Sequence, residues 1–262
     1  MATTQIGRRS VGKALATLEA LAVAPRPVSA GALARSLKLA RPTVYRILSS
    51  LADHGYVTHD RQRGLYRLSF KLLDLGHQAL KGTDLLQAAR PALAELQEQC
   101  RETVHLGVPE GGRMVYLDKL EGAGPFCMHS RIGASVPMHC TALGKAVLAF
   151  LPRPAVEAIV AAHGLPRRTP RTLVTWPALE QELTRVRQRG YAVDDVEMEE
   201  DVRCIGAPVF DYQGGPVGAL SVSAPTVRMP LARARAVGGA VCESARAVSR
   251  AMGWSAAHSR MT

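Results

Sequence analysis

Two short apolar stripes joined by a tight turn, between Val28 and Leu51, constrain the fold more than anything else in this chain. In the first stripe Leu33 and Leu37 stand four apart, with Ala30 and Ala34 beside them. In the second, Val44, Ile47, Leu48 and Leu51 follow the i, i+3, i+4, i+7 spacing of one helical face. Pro42 suits the first position of that second helix, where a missing N–H forfeits no hydrogen bond. The opposite face carries Arg41, Thr43, Tyr45, Arg46 and Ser50, and only Asp53 opposes the charge. A helix that buries leucines and presents Arg, Thr and Tyr near its N-terminus fits the major groove of duplex DNA. An ordinary helical hairpin with a solvated basic face is the competing reading.

The segment after the second helix favours the duplex. Tyr56, Val57 and Thr58, then Leu65 and Tyr66, form two β-prone runs around a polar Asp60-Arg61-Gln62-Arg63-Gly64 centre. That pattern predicts a hairpin with a glycine where a positive φ is needed. Helix, helix, recognition helix and hairpin describe a winged helix-turn-helix. Arg61 and Arg63 at the tip are placed to enter the minor groove or to clamp phosphates.

The charge distribution points the same way. Of the net +11, residues 1–81 hold 13 Lys+Arg against 4 Asp+Glu, or +9; the other 181 residues hold 20 against 18, or +2. The excess sits on the segment bearing the helix-turn-helix, as a polyanion-binding footprint requires. At 262 residues the chain is long enough for two domains with separate cores. Its five cysteines (Cys100, Cys127, Cys140, Cys204, Cys242) are odd in number and widely spaced. They argue against a disulfide framework or zinc ribbon and suit a reducing cytoplasm. Arg8-Arg9 followed by an apolar run to Ala24 superficially resembles a signal peptide, but Lys13 and Glu19 interrupt it. Leu15, Leu18 and Leu21 instead give helical spacing, with Ser10 as N-cap. No run of about 18 uncharged apolar residues exists to span a membrane.

Beyond the hairpin, residues 69–83 read as a linker helix interrupted at Gly82, and a helix restarts at Asp84 with Pro91 inside it, implying a kink or a second start. From Thr103 the texture changes. Strands are predicted over 103–108, 113–120, 126–131, 204–210 and 216–223, and helices over 141–151, 153–163, 176–189 and 231–252. Hairpin connections around intervening helices imply an α+β domain on a mainly antiparallel sheet. The expected boundaries are 1–68 for the DNA-binding domain, 69–83 for the linker, 84–252 for the second domain and 253–262 for a frayed tail.

The second domain carries no obvious catalytic motif. G-x-S-x-G, H-E-x-x-H and a convincing dinucleotide fingerprint are missing. Gly144-Lys145 is not a phosphate loop, because His139 stands five before Gly144 and Ala146 follows the lysine. His139-Cys140 would make a nucleophile pair only if neighbouring side chains of an extended segment shared a side, which they generally do not. Nothing in the spacing of His105, His129, His139 and Asp194 demands a metal. Residues 194–201 hold six carboxylates in eight positions, a solvated loop face from which only one or two point inward.

The chain resembles the IclR family of bacterial transcriptional regulators over nearly its whole length. The resemblance rests on Leu33-Ala34-Arg35, Arg46 to Leu51 and Gly55-Tyr56-Val57 in the first half. In the second it rests on Gly133 to Ala149, Arg189-Gly190-Tyr191 and Arg203 to Asp211. It implies a winged helix-turn-helix, a linker helix, a C-terminal effector domain like GAF and PAS sensors, and dimers that often pair into tetramers. Carried onto this sequence, its effector positions are Met128, Val136, Ala142, Asp194, Cys204, Ser221 and Ser223. Ser221 and Ser223 are two apart on one strand and face one side; Ala142 starts a helix, whose free N–H groups favour a carboxylate. Met128 and Val136 would supply apolar walls. Asp194 sits awkwardly opposite a carboxylate unless it is protonated or accepts a ligand hydroxyl or N–H. Where the family often has Ser or Thr near the recognition-helix start this chain has Pro42, so the cap and first phosphate contact differ.

The resulting expectation is a cytoplasmic, ligand-responsive transcription factor without cofactor or metal. Arg41, Thr43, Tyr45, Arg46, Arg61 and Arg63 would contact a palindrome-like operator, and a small organic acid, aromatic or hydroxylated, would fill the second domain. The alternatives are a hydrolase or acyltransferase using Cys140 or Cys204, and a non-specific nucleoid-binding protein.

Overall fold

The computed structural model describes residues 10–81, 84–123 and 130–255. The chain divides into two compact units, 1–82 and 83–262.

In the first unit the order is α1 (Ser10–Val23), β1 (Val28–Ser29), α2 (Ala30–Leu37), α3 (Arg41–Asp53), β2 (Val57–Asp60), β3 (Leu65–Leu68) and α4 (Lys71–Lys81). Ser29 caps α2, its Oγ accepting from Ala32 N at 3.3 Å. Lys38, with φ 53, ends the helix in the left-handed region and makes the turn. Val44 and Leu48 of α3 then pack with Leu21, Leu33, Val57 and Tyr66 in one small core. On α1, Leu21 is buried, whereas Leu15 is 54% exposed, so the apolar stripe expected there is only partly used. β1 has no signal of its own in the sequence. It pairs antiparallel with β3 and completes a three-stranded sheet, β1-β3-β2.

In the second unit α5 (Asp84–Cys100) runs on through Pro91 without ending. Then come β4 (Thr103–Glu110), β5 (Arg113–Leu120), β6 (Ser135–Pro137), α6 (Ala142–Leu148), α7 (Arg153–His163) and α8 (Trp176–Arg189). β7 (Ala192–Asp195), β8 (Val202–Phe210), β9 (Pro216–Pro225) and α9 (Leu231–Ala251) complete it. The strands form one six-stranded antiparallel sheet ordered β6-β5-β4-β9-β8-β7. β6 and β7 are additions to the predicted set; the strand expected over 126–131 falls mostly outside the described residues. Gly253 and Trp254, expected in the frayed tail, pack instead: Trp254 N donates to Ser249 O at 2.9 Å and its ring stacks on Phe210 at 5.8 Å.

Each face of the sheet has its own helices. Gly206 lets α6 approach one face, for a Cβ there would sit 2.8 Å from the Ala142 carbonyl carbon. Gly218, whose partner Val209 marks the other face, meets Leu85 of α5. α9 covers that second face with a buried stripe through Ala234, Val237, Val241, Ala245 and Val248. The long strands between are buried along most of their length, as a sheet covered on both sides must be.

Candidate functional site

The first unit presents α3 as sequence periodicity requires. Arg41, Tyr45 and Arg46 are exposed and Thr43 is half-buried, while Val44 and Leu48 turn inward. Pro42 is the second helical residue, one further in than expected, because α3 begins at Arg41. The N-cap is Ala40, which makes no side-chain cap bond. Orphan N–H groups at that end therefore lack the usual hydroxyl partner. Arg41 reaches back over α2, where a Cβ on Gly31 would sit 3.9 Å from its guanidinium. In the wing, Asp60 Oδ1 accepts from Gln62 N and Arg63 N, both at 3.1 Å, and Gly64 takes φ 64. This turn holds the exposed Arg61 and Arg63 at the tip. Below it His59 stacks on Tyr66 at 4.2 Å and 1°. Among the described residues, Arg41, Arg46, Arg61 and Arg63 engage no carboxylate and remain available to phosphates.

In the second unit a transverse row of side chains crosses the sheet. Asp194 on β7 is directly opposite Cys204 on β8, which is opposite Ser223 on β9. The next row of the same face carries Gly206, Ser221 and His105. Directly opposed residues project to one side, so two serines, a thiol and a carboxylate converge beneath the start of α6. Five of the seven expected effector positions, Ala142, Asp194, Cys204, Ser221 and Ser223, line one cavity of about 20 Å³, the room of roughly one water. Val136 does not line it. It sits on β6 opposite Met114, within the apolar core. Met128 lies outside the described residues.

Sequence reasoning missed six further lining residues: Tyr116, Thr141, Leu143, Met198, Glu199 and Val202. Tyr116 arrives through a bulge. β4 and β5 pair Leu106 with Asp118, and then Gly107 with Tyr116 rather than with Leu117. The slip turns the ring onto the cavity face, which strict alternation would have denied it. Thr141 was findable as a cap: its Oγ1 accepts from Gly144 N at 3.2 Å and donates to Pro137 O at 2.7 Å.

The electrostatics are those of a buried, mostly neutral chamber. Burial pushes the Asp194 carboxyl up to about 7, with Lys145 pulling it down and Glu197 pushing it further up. Asp194 Oδ1 also accepts from Glu197 N at 2.7 Å and Met198 N at 3.2 Å, tying down the acidic segment. Lys145 is fully buried, and its Nζ donates to Val193 O at 2.6 Å and to Glu197 Oε1. Of the six carboxylates, only those of Asp194 and Glu197 belong to buried residues. Burial drives the Cys204 thiol well above its ordinary range, and Asp194 adds to it. Cys140, its Sγ 3.8 Å from Met198 Sδ, is pushed up to about 12 by burial and the same acids. His139 Nε2 is 3.1 Å from Pro166 O. Neither cysteine has the lowered pKa an attacking thiolate needs. Among the described residues no group of three or more His, Cys, Asp or Glu is arranged for a metal, and no helix is long and apolar enough to cross a membrane.

Both units of the chain match known proteins. Residues 10–61 match the family profile described as the IclR helix-turn-helix domain, and residues 77–250 the one described as bacterial transcriptional regulator IclR C-terminal. The HTH-type transcriptional regulator KdgR of Escherichia coli K12 is 36% identical over 245 residues, 94% of this chain and 93% of that protein. The HTH-type transcriptional repressor AllR of Salmonella typhi is 30% identical over 251 residues, covering 96% and 92%. The crystal structure of the Thermotoga maritima IclR superposes with a TM-score of 0.80 at 30% identity, covering 94% of this chain and 99% of that one. The fold and the two matched profiles define a bacterial helix-turn-helix transcriptional regulator with a C-terminal ligand-binding domain. The chain belongs to the IclR family.

Proposed function

We propose that this regulator binds a palindrome-like operator as a dimer or dimer of dimers, and that a small organic acid bearing hydroxyl groups or an aromatic ring sets its operator affinity. The observation that carries the reading is the convergence of Ala142, Asp194, Cys204, Ser221 and Ser223 on one buried cavity. In this reading the ligand carboxylate takes the first N–H groups of α6 at Ala142 and Leu143, which have no intrahelical partner. Ser221 and Ser223 hydroxyls and the Asp194 carboxyl take ligand hydroxyls, and Tyr116 and Met198 form the apolar wall. A carboxyl held near neutrality by burial accepts or donates as the ligand requires.

A cavity this small must widen to admit a ligand. The movable wall is the 196–201 segment, which contributes Met198 and Glu199. Val196 and Asp201 hold it with φ of 63 and 61, a region costly for a β-branched residue such as valine. The segment is thus strained at its Val196 end and bonded to Asp194 in its middle. Residues 69–83 carry the change along the chain, and a coupling of roughly 1–3 kcal/mol alters operator affinity about 5–150-fold. In the first unit, Arg41, Thr43, Tyr45 and Arg46 read base edges and adjacent phosphates, while Arg61 and Arg63 grip the flanking backbone. A thiol-dependent enzyme is disfavoured because burial raises both candidate thiols.

The test uses the full chain, DNA flanking its own gene, and a panel of hydroxylated and aromatic carboxylates in gel-shift and calorimetry. At least one carboxylate is expected to shift operator affinity. Ser221→Ala with Ser223→Ala should abolish that shift and leave operator binding intact. A full response in the double variant removes the cavity from the mechanism.

A further inference from the structure

A second concavity of about 340 Å³ lies between α8, β7 and the start of α9, a volume within the range of small-molecule sites. Its wall shares one chain segment with the effector cavity. Val193, Asp195 and Glu197 line the groove, whereas Asp194, Met198 and Glu199 line the cavity. The groove also holds Glu182, Arg185, Arg189 and Arg235, so three carboxylates face three guanidiniums.

Most of that charge is already satisfied. Arg189 Nη2 is 2.6 Å from Glu182 Oε1, and Arg185 Nη1 is 3.6 Å from Glu182 Oε2. Asp195 holds Arg171 at 2.7 Å and also Arg203. Two groups are left over. Glu197 is more than nine-tenths buried; its Oε1 takes Lys145, and its Oε2 has no partner among the described residues. Arg235, exposed at the rim, has none there either. A buried acceptor without a donor is costly and uncommon in folded proteins, and a native instance asks what supplies the donor.

We propose that this groove is a second small-molecule site, distinct from the effector cavity, and that its ligand is an amino acid bound as the zwitterion. The ammonium donates to Glu197 Oε2 at the inner end, and the carboxylate lies against the Arg235 guanidinium at the rim. A simple anion would meet three carboxylates, and a simple amine three guanidiniums. A molecule carrying one charge of each sign is the class that pairs both leftover groups. Reaching Oε2 takes a side-chain shift of Glu197, which is transmitted to Lys145, to the Val193 carbonyl and so to the strand that carries Asp194.

The experiment presents the full-length protein with single L-α-amino acids and short ω-amino acids at millimolar concentration, read by thermal shift and then calorimetry. At least one is expected to bind and raise the melting temperature. Arg235→Ala, an exposed position that does not threaten folding, should weaken that ligand about tenfold or more. Glu197→Gln should do the same if it folds, and Ser221→Ala with Ser223→Ala should leave the binding unchanged. The proposal is overturned if no amino acid binds, if Arg235→Ala binds it as tightly as the native chain, or if the double serine variant loses it.

Discussion

Lys145 on α6 and Glu197 beyond β7 form an ion pair with both residues buried, and the same ammonium donates to the Val193 carbonyl. This contact ties the helix over the cavity to the edge strand beneath it. Removing one partner leaves the other charge stranded, which costs far more than the pair itself contributes. Lys145→Met is therefore expected to lower unfolding free energy by roughly 3–5 kcal/mol. Lys145→Met with Glu197→Leu should regain much of that loss. Urea unfolding of the single and double variants checks it, and a double variant no more stable than the single would show that the charge is not the cause.

Two buried groups give stability opposite slopes with pH. Asp194 titrates near 7 in the fold against an ordinary 3.8, so between about pH 4 and 7 the native state holds a proton that the unfolded chain has released. Its contribution is complete below that window and disappears as pH rises through about 7. His105 is the reverse case: burial, helped by Lys119, lowers it from 6.5 to about 3. Its contribution is complete above pH 6.5 and disappears as pH falls toward 3. The two windows overlap between about pH 4 and 6.5, where the slopes offset each other in the native chain. Asp194→Asn should therefore uncover a melting temperature that rises with pH across that range, and His105→Gln one that falls. Parallel curves for Asp194→Asn and the native chain would show that Asp194 does not hold the proton.

The features legible in the sequence are those with a local cause. The leucine spacing of α3 and the Asp60-to-Gly64 turn each carry their own periodicity or turn chemistry, and the structure reproduces them. β1 is invisible in the sequence because two residues, Val28 and Ser29, become a strand only through their partners Tyr66 and Leu65. β7 reads as part of a mostly solvated acidic run; the family resemblance singles out Asp194, and pairing with β8 accounts for its burial. Lys145 reads as half of a failed phosphate loop, since its carboxylate lies 52 residues away. Tyr116 reaches the cavity through a bulge that no alternation of residue types encodes. Local propensity is written in the chain, whereas register and burial come from contacts distant in sequence.

Operator binding should separate base reading from phosphate grip. Arg46 stands exposed on the outer face of α3, and Arg61 with Arg63 on the wing turn. Arg46→Ala is expected to cost about tenfold or more on the preferred DNA and little on unrelated duplex. Arg61→Ala with Arg63→Ala should weaken both DNAs alike and reduce the salt slope by about 0.9 for each phosphate no longer neutralised. Gel shifts across a salt series on flanking and scrambled DNA distinguish them. An unchanged slope in the wing variant would mean that the tip does not touch the backbone.

The approach of α6 to β8 depends on Gly206 lacking a side chain, and its approach to the loop backbone at Met138 on Gly144 lacking one. A Cβ on Gly206 would lie 2.8 Å from the Ala142 carbonyl carbon and 2.9 Å from its oxygen. One on Gly144 would lie 2.2 Å from Met138 Cα. Both obstacles are backbone, which cannot rotate away as a side-chain tip can. Gly206→Ala must therefore lift the start of α6 off β8, and the Ala142 N–H group moves with it. Overpacking of this kind costs about 1–3 kcal/mol, and Gly144→Ala, with the closer approach, should exceed that range or fail to fold. Gly206→Ala should fold with a lower urea midpoint and a weakened response to the effector, because Ala142 lines the cavity together with the two serines. Native stability and a native response in that variant would mean that α6 tolerates displacement, and that its position does not set the geometry of the cavity.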